Sequence, residues 1–366
     1  MTKYIYDRPE WPVLTFDVRT AHEPLMRVHR AQGRLYGKLD SLGFEVRNDL
    51  QLSSVSDEVV TSSEIEGEVL NRSSVRSSVA KRLGLEIAGL ADTIPDRYAD
   101  GVVDIAIDAT QNYTLPVTDE RLFSWHAALF PSGRSGIRRI TVGEYRTDEV
   151  SVVSGVIGKE KVHYRAPHPE CVPGEMKKLL EWIEADNKTD PYVKSAIAHL
   201  WFEAIHPFDD GNGRVGRSIS ELLLARAEKS PLRYYSMSSQ ILKERKAYYE
   251  ELELATDYAG DIGRWVVWFI GCLVRAMEAS EDKLETAVRK ASVFGQIRKP
   301  ALNDRQNAMI NRLIDGLEGK LTTAKWAKIS KCSHDTALRD IESLIEQGIL
   351  VRSAEGGRST SYVLNL

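Results

Sequence analysis

Residues 206–217 read HPFDDGNGRVGR and place a histidine, two aspartates, three glycines, an asparagine and two arginines within twelve positions. Most of these residues are poor helix formers. The flanking stretches VKSAIAHLWFEAI (193–205) and SISELLLARAEK (218–229) instead have the apolar spacing of helices. The sequence therefore predicts a polar loop held between two buried helices.

The chemistry of this loop is that of an anion cradle. Gly211 and Gly213 allow backbone N–H groups to approach a ligand closely. The helix that follows directs its free N–H groups and the positive end of its dipole at the same place. Arg214 and Arg217 lie about one turn apart, and their guanidinium groups suit phosphate oxygens. The pattern predicts a phosphate site.

Two more side chains flank the cradle. Asp210 is a hard oxygen ligand, suited to a Mg²⁺ ion that bridges phosphates, and His206 can take a proton near pH 7. A base, a metal ligand and a phosphate clamp together predict chemistry on a nucleotide phosphate. The segment GNGRVG (211–216) also satisfies the dinucleotide pattern G-x-G-x-x-G, but a helix precedes it and not a strand, so we reject that interpretation.

Composition places the chain among ordinary globular proteins. It has 366 residues, 42% of them hydrophobic and 28% charged, and a formal net charge of −4. These values suit two or three domains without a global basic field for nucleic acid. Three scattered cysteines and an N-terminus without a signal pattern predict a reduced, cytoplasmic protein. The most apolar run, WVVWFIGCLV (265–274), is too short to span a bilayer, so we expect no membrane partner.

The remaining patterns divide the chain into three parts. We expect an N-terminal arm and helix over residues 1–45, a helical catalytic core over 46–295 with a β-hairpin near 140–165, and a winged helix-turn-helix over 296–366. The last part has three short helical patterns and then two alternating segments, ILVRSAE (349–355) and RSTSYVLNL (358–366). The expected fold class is mainly α.

The loop resembles the signature of the Fic family, H-P-F-x-[DE]-G-N-G-R-x-x-R. The defined positions are all matched, by His206, Pro207, Phe208, Asp210, Gly211, Asn212, Gly213, Arg214 and Arg217. The resemblance implies a mainly α-helical core with a hairpin flap, and transfer of AMP from ATP to a hydroxyl side chain of a target protein or of the protein itself.

The resemblance also implies a role for each loop residue. His206 would be the general base, and Asp210 would hold Mg²⁺. Asn212, together with the loop amides, would hold the α-phosphate. Arg214 and Arg217 would hold the outer phosphates. Phe208 would anchor the loop in the core.

Two segments outside the loop resemble other parts of Fic domains. GEYRTDEVSVV (143–153) resembles the segment that leads into the flap, whose edge strand can align a target by backbone hydrogen bonds. We place this strand at Val150, Ser151, Val152 and Val153. SQILKERKAYYEEL (239–252) resembles the segment that carries a tyrosine on the adenine side. Tyr248 and Tyr249 are the candidates, and simple packing is the alternative for both.

SSEIEG (62–67) fits the inhibitory pattern [ST]-x-x-x-E-[GN], with Ser62, Glu66 and Gly67 at the defined positions. Residues four apart lie on one helix face. In the family this glutamate pairs with the second arginine of the motif, here Arg217, and fills the γ-phosphate region so that ATP binds badly. The alternative is a helix end closed by glycine. The resemblance implies autoinhibition within one chain.

Other functions stay open at this point. The residues of the loop would also serve removal of AMP from a modified protein by hydrolysis, with Glu66 orienting the water. Members of the family also transfer UMP, phosphate or phosphocholine. Residues 296–366 also suit a DNA-binding regulator. Its candidate residues are Ser333 as the cap of the recognition helix, His334, Thr336 and Arg339 near the start of that helix, and Arg358 at the tip of the wing.

The charge of the C-terminal part does not decide its partner. Seven Lys and Arg against five acids from residue 320 onward leave a charge of +2, a thin basis for phosphate contact. A DNA contact and a protein contact through residues 296–366 therefore weigh equally. The sequence also leaves homodimer formation open.

Overall fold

The computed structural model describes residues 3–40, 42–85, 96–154, 161–258, 261–295, 302–314, 317, 319–353 and 360–365. The α-helices of these residues are α1 (His22–Asp40), α2 (Phe44–Ile65), α3 (Arg72–Arg82), α4 (Arg97–Gln111), α5 (Asp119–Leu129), α6 (Val172–Glu184), α7 (Pro191–Ile205), α8 (Asn212–Glu228), α9 (Met237–Lys243), α10 (Arg245–Thr256), α11 (Ile262–Gly295), α12 (Asp304–Ile314), α13 (Thr323–Ser330) and α14 (His334–Glu346). The strands are β1 (Arg134–Ser135), β2 (Arg138–Arg139), β3 (Ser151–Ser154), β4 (Lys161–Arg165), β5 (Leu350–Arg352) and β6 (Tyr362–Leu364). The expectation of a mainly α-helical chain is confirmed.

The chain divides into two compact units, residues 1–280 and 281–366. This division falls within α11 and precedes residue 296, where the sequence places the start of the last domain. Within the described residues, no helix is both long and apolar enough to cross a membrane.

The first unit is built around α7 and α8, the two helices that flank the polar loop. Asp190 caps α7 by accepting hydrogen bonds from two backbone N–H groups, and Pro191 occupies the first turn, where its missing N–H costs nothing. Nearly every side chain of α7 is buried, and α7 packs along α8. Burial on all faces explains why the helix is apolar all round.

Helix α2 carries the SSEIEG segment to this pair of helices. It packs along α9, and Glu58 accepts hydrogen bonds from Ser236 Oγ (2.7 Å) and Ser238 N (2.9 Å) at the start of α9. A carboxylate at a helix N-terminus is favoured by the helix dipole. Helix α2 ends at Ile65, and Gly67 has a φ of 86°, a left-handed conformation that glycine adopts without strain. The last turns of α2 are therefore held by the Glu58 contacts to α9, and the chain leaves the helix at Gly67.

Strands β3 and β4 form the antiparallel hairpin expected near residues 140–165. Ser151 pairs with Arg165 and Ser154 with Lys161, while the connecting residues 155–160 lie outside the described part. Val152 and Val153 remain 38% and 48% exposed. Val150 lies just before β3, and its carbonyl accepts a hydrogen bond from Ala166 N (3.0 Å). Apolar side chains thus stand exposed on the strand that the sequence assigned to target binding.

A second small hairpin, β1 and β2, was missed from the sequence. Arg134 pairs with Arg139 and Ser135 with Arg138, and Gly136 in the turn has a φ of 55°. The strands are two residues long, and three of their four side chains are exposed arginines. Alternation of apolar and polar residues, the usual signal of a strand, is absent here.

The N-terminal arm is tied to the β4 strand and to the end of α10. Tyr4 forms an isolated antiparallel bridge with Asp257, and its ring packs against Tyr164 with the centroids 4.9 Å apart. The Tyr6 hydroxyl donates to the Arg165 carbonyl (2.9 Å). The arm therefore braces one strand of the hairpin.

The second unit contains α12, α13, α14, β5 and β6. Trp326, Ile341 and Leu344 are among its fully buried core residues. The β5 strand pairs antiparallel with β6, and Tyr362 also pairs with Leu321 in the segment before α13. Arg358, expected at the tip of the wing, lies outside the described residues.

Candidate active site

His206 ends α7 in an unusual backbone conformation. Its φ is 50°, in the left-handed region, and its N–H still donates to the Phe202 carbonyl (2.9 Å). Its carbonyl accepts from Arg146 Nε (2.8 Å), and Arg146 N donates to the Pro207 carbonyl (2.9 Å). A non-glycine residue in this region carries strain, which persists only where the surroundings fix it. Arg146, nearly fully buried, is what fixes it here.

The loop after His206 is closed by Asn212. Its Oδ1 accepts from Phe208 N (2.9 Å) and its Nδ2 donates to the Phe208 carbonyl (2.8 Å). The Phe208 ring stacks on His126 with the centroids 4.2 Å apart. Because the Asn212 side chain is engaged in the loop, a contact from Asn212 to a phosphate would come from its backbone N–H.

Helix α8 starts where glycines are required. Gly211 has a φ of 79°, and a Cβ atom there would lie 2.9 Å from a ring carbon of Phe130. At Gly213 a Cβ atom would lie 2.2 Å from Glu66 Oε1. The Glu66 carboxylate therefore rests against the first turn of α8, the place that attracts anions.

Arg217 is held by the end of α2. Its Nη1 is 2.9 Å from Glu66 Oε1, its Nε donates to Ser62 Oγ (2.9 Å), and its Nη2 donates to the Ser62 carbonyl (2.8 Å). The side chain of Arg217 is 3% exposed and that of Glu66 31%. Burial opposes the charged guanidinium, but Glu66 outweighs it and raises the pKa of Arg217. The structure thus brings together Ser62, Glu66 and Arg217.

Arg214 and Asp210 lie on the other side of the loop. Arg214 Nη1 donates to the Tyr98 hydroxyl, and the guanidinium lies 5.1 Å from the centre of the Phe130 ring. Asp210 accepts from the Ser135 hydroxyl, and its Oδ1 is 3.9 Å from Arg214 Nη2. Its carboxylate is 42% exposed, so one hard oxygen ligand is accessible beside the cradle.

A cleft of about 710 Å³ opens in front of His206. Its lining includes Glu66, Gly213, the exposed valines of β3, and both candidate tyrosines. Tyr248 is buried and its hydroxyl bonds to His199 Nε2 (2.9 Å), whereas Tyr249 is 39% exposed and donates to the Ile65 carbonyl (3.3 Å). Of the two, Tyr249 has a ring surface that a base could stack on.

The pKa values of His206 and Glu203 are also shifted from their ordinary values. Burial lowers the pKa of His206 to about 4, so the imidazole is neutral at pH 7. Burial, and then the nearby Glu66 carboxylate, raise the pKa of Glu203 to about 8. A carboxyl with such a value, next to a cleft, is typical of functional sites.

Sequence reasoning missed four residues that position the site. They are Tyr98, Ser135, Arg146 and Glu203. Glu203 lies three residues before His206 on a helix, a spacing that places side chains on one face. Tyr98 and Ser135 are far from the loop in sequence, and nothing local marks them.

The comparisons with known proteins agree with this fold and loop. Residues 116–224 match a family described as Fic/DOC, so this part of the chain is similar to that family. Residues 4–85 match a domain of unknown function, DUF4172, which includes the arm, α1, α2 and the SSEIEG segment. The residues that hold Arg217 therefore come from outside the matched Fic segment.

Curated relatives are protein adenylyltransferases of modest similarity. A probable protein adenylyltransferase of Aquifex aeolicus is 41% identical over 61 residues, which are 17% of this chain and 19% of that protein. The protein adenylyltransferase Fic of Drosophila grimshawi is 26% identical over 219 residues, or 58% of this chain and 40% of that protein. The chain thus spans between about a fifth and two fifths of the length of these two relatives.

Solved structures share the fold. A Fic family protein from Desulfovibrio desulfuricans is 24% identical with a TM-score of 0.55, and the match covers 96% of this chain and 98% of that one. A Fic domain containing signalling protein from Bacteroides thetaiotaomicron is 19% identical with a TM-score of 0.53, over 71% of this chain and 97% of that one.

Proposed function

We propose that this protein is a protein adenylyltransferase that transfers AMP from ATP to a hydroxyl side chain of a target protein or of itself, and that Glu66 inhibits it within the same chain. The observation that carries the proposal is the Glu66 carboxylate at the first turn of α8, 2.9 Å from Arg217. A carboxylate there supports an anion site at this turn, in the place where a phosphate of ATP would lie under the proposal.

The reaction needs a base, an anion site and a path for the target. The oxygen of the hydroxyl attacks the α-phosphorus of ATP while its proton passes to Nε2 of His206; the bond to the β-phosphate breaks, and pyrophosphate leaves. His206 is neutral and lines the cleft, so it can accept this proton. The exposed valines of β3 line the same cleft, which supports target binding along this strand.

The site suits Mg²⁺, the ion that the proposed reaction uses. Mg²⁺ is commonly held by one or two carboxylates together with substrate phosphates, and Asp210 offers one accessible carboxylate beside the cradle. Asp210 would hold the ion, which supplies positive charge to the phosphates. Arg214 and Arg217 would meet the outer phosphates, and the Asn212 and Gly213 N–H groups the α-phosphate.

Inhibition by Glu66 follows from competition for one guanidinium. Arg217 is nearly fully buried, and all its hydrogen-bonding nitrogens face α2. While Glu66 holds it, Arg217 does not turn to the γ-phosphate, and ATP lacks the contact that sets its α-phosphate in line with the hydroxyl.

The test compares three proteins in labelled ATP and Mg²⁺, with and without cell lysate: wild type, Glu66→Gly, and Glu66→Gly with His206→Ala. We expect AMP on Ser, Thr or Tyr in Glu66→Gly, located by mass spectrometry. Adding His206→Ala should lower the labelling rate of Glu66→Gly by about 10²–10⁴-fold, the usual contribution of a general base. The circular dichroism spectrum should not change.

Two results would contradict the proposal. Labelling that persists without His206 would refute its role as base. If Glu66→Gly only loses the ability to remove AMP from a modified protein, Glu66 orients water, and the enzyme is a de-AMPylating hydrolase.

We also propose that residues 296–366 are a winged helix-turn-helix. The three helices followed by a β-hairpin, and the extra bridge between Leu321 and Tyr362, support this order of elements. Ser333 caps α14, and His334 and Arg339 are exposed near its start. In a gel shift with the full chain we expect weak, salt-sensitive DNA binding at most. A shift that resists moderate salt and prefers one sequence would make the protein a DNA-binding regulator.

A further inference from the structure

A buried carboxyl faces His206 from inside the protein. Glu203 lies on the last turn of α7, and its Oε2 is 3.8 Å from Nδ1 of His206. Glu203 Oε1 and His206 Nδ1 are both buried, and neither makes a hydrogen bond of good geometry among the described residues. The backbone of Glu203 interacts with the His206 ring and favours its protonated form, so the ring has a backbone neighbour as well as the carboxyl. Buried polar atoms in proteins are nearly always paired, so the Nδ1 atom of His206 needs a partner, and Glu203 Oε2 is a carboxyl oxygen within reach of a small movement.

Several other groups act electrostatically on this pair. They are Glu66 at the end of α2, Arg146 before β3, Asp210 in the loop, Arg217 on α8 and Tyr248 on α10. Gly216 on α8 leaves the room that Glu203 fills, because a Cβ atom there would lie 2.6 Å from Glu203 Oε1. The carboxyl is thus held in place from two helices.

A neutral imidazole carries one proton, and the partner of one ring nitrogen decides which nitrogen carries it. Nδ1 of His206 is buried beside Glu203, which leaves Nε2 to face the cleft. His206 can act as a base only if the proton sits on Nδ1, because Nε2 then has a free lone pair.

We propose that Glu203 is a positioning residue that sets the tautomer of His206: its carboxylate accepts the Nδ1–H and leaves the Nε2 lone pair free to take the hydroxyl proton. The role of His206 as base rests on the proposed adenylyl transfer. After that proton has moved, the same carboxylate faces an imidazolium and stabilises it. The 3.8 Å separation is longer than a hydrogen bond, and such catalytic contacts often tighten only when substrate is bound.

The same pair links the base to Glu66. Burial, together with the Glu66 carboxylate, raises the pKa of Glu203 to about 8, so at pH 7 Glu203 is mostly protonated. A protonated Glu203 donates to Nδ1 and places the imidazole proton on Nε2, where it blocks the base. Loss of Glu66 lowers the pKa of Glu203, since one like charge is removed. Under this proposal Glu66 inhibits in two ways: it occupies Arg217, and it keeps His206 in the tautomer that cannot accept the proton.

The test reads the tautomer by ¹⁵N NMR of histidine-labelled full-length protein between pH 6 and 9, with His206 assigned from a His206→Gln spectrum. In wild type we expect Nε2–H at low pH to change to Nδ1–H as Glu203 ionises, and in Glu66→Gly the change should come at lower pH. Glu203→Leu should stay Nε2–H throughout. Glu203→Gln, whose amide does not ionise, should keep one tautomer over the whole pH range.

His199 is an internal control in the same spectra. Its Nδ1 lies 2.9 Å from Ser220 Oγ and its Nε2 lies 2.9 Å from the Tyr248 hydroxyl, so its signals should not change. Identical tautomers and pH dependence in wild type and Glu203→Leu would overturn the proposal. If the leucine variant does not fold, the glutamine variant decides, and a wild-type pH dependence in Glu203→Gln would overturn it equally.

Kinetics separate this proposal from the proposed function. In the Glu66→Gly background, Glu203→Leu should lower kcat by about 10- to 1000-fold with little change in KM for ATP, because a misprotonated base affects only the transition state. In Glu203→Gln, kcat should no longer rise with pH over the range in which Glu203 ionises, because the amide does not titrate. If the Glu203 variants change the tautomer of His206 but no variant transfers AMP, the proposed adenylyl transfer is wrong. The proposal that Glu203 positions His206 would still stand.

Discussion

Two buried arginines of the first unit show opposite arrangements. Arg233 is 2% exposed and lies 3.0 Å from Glu221 and 2.7 Å from Glu228, which are themselves 8% and 0% exposed. Arg217 is 3% exposed, but its carboxylate partner Glu66 is 31% exposed and comes from the end of a helix that is distant in sequence.

The difference separates a permanent ion pair from a removable one. The Arg233 partners are enclosed, and Glu228 also accepts hydrogen bonds from the Tyr36 and Tyr235 hydroxyls. Breaking such a pair leaves an uncompensated buried charge. Glu66 instead borders an open cleft, so water or a phosphate can replace it at Arg217. Of these two arginines, Arg217 is the one that suits the proposed inhibition.

The largest effect is expected for the enclosed pair. Glu228→Gln should lower the free energy of unfolding by about 3 kcal/mol, the lower end for a broken buried ion pair, because Arg233 keeps Glu221. It should give no gain in labelling. Urea denaturation measures the loss, and Glu250→Gln, which breaks an exposed pair with Lys246, is the control with less than about 0.5 kcal/mol.

Glu66→Gly should act on activity more than on stability. We expect a rise in AMP labelling of roughly tenfold or more, the effect of about 1.4 kcal/mol, and a loss of unfolding free energy below about 1.5 kcal/mol. Adding Arg217→Ala should cancel the gain, since no arginine remains to be released. A variant as unstable as Glu228→Gln, and no more active than wild type, would show that both arginines are structural.

Ser62→Ala should have the smallest effect. It removes the 2.9 Å hydrogen bond from Arg217 Nε while the bond to the Ser62 carbonyl remains. A hydrogen bond worth about 1 kcal/mol predicts a rise in labelling of about fivefold. The control is Ser63→Ala, because the buried Ser63 hydroxyl has no partner within the described residues. Equal gains in AMP labelling in Ser62→Ala and Ser63→Ala would contradict a role for the Ser62 hydrogen bond.

Much of the fold followed from local patterns. The apolar spacing before and after the loop predicts α7 and α8, and the glycine at 67 predicts the end of α2, because these signals act within a few residues. The β1 and β2 hairpin did not follow, since its two-residue strands have no apolar alternation. The Arg358 prediction falls outside the described residues.

The candidate site divides in the same way. Residues 206–217 carry the proposed base, the proposed metal ligand and the proposed phosphate contacts in one segment, so their types and spacing alone predict phosphate chemistry. Glu203, three residues earlier, could have been singled out by its helical spacing to His206. Its burial beside Nδ1 was not predictable, because burial depends on how α7 packs against its neighbours.

The sequence by itself determined the loop, the helices around it and the presence of the SSEIEG segment, all of which depend on local geometry. The contact of Arg217 with a carboxylate 151 positions away was expected from the family resemblance. Only the tertiary structure decided that Asn212 turns its side chain into its own loop and that Glu203 stands behind His206. These contacts depend on helices packing across the core, where distance in space is unrelated to distance along the chain.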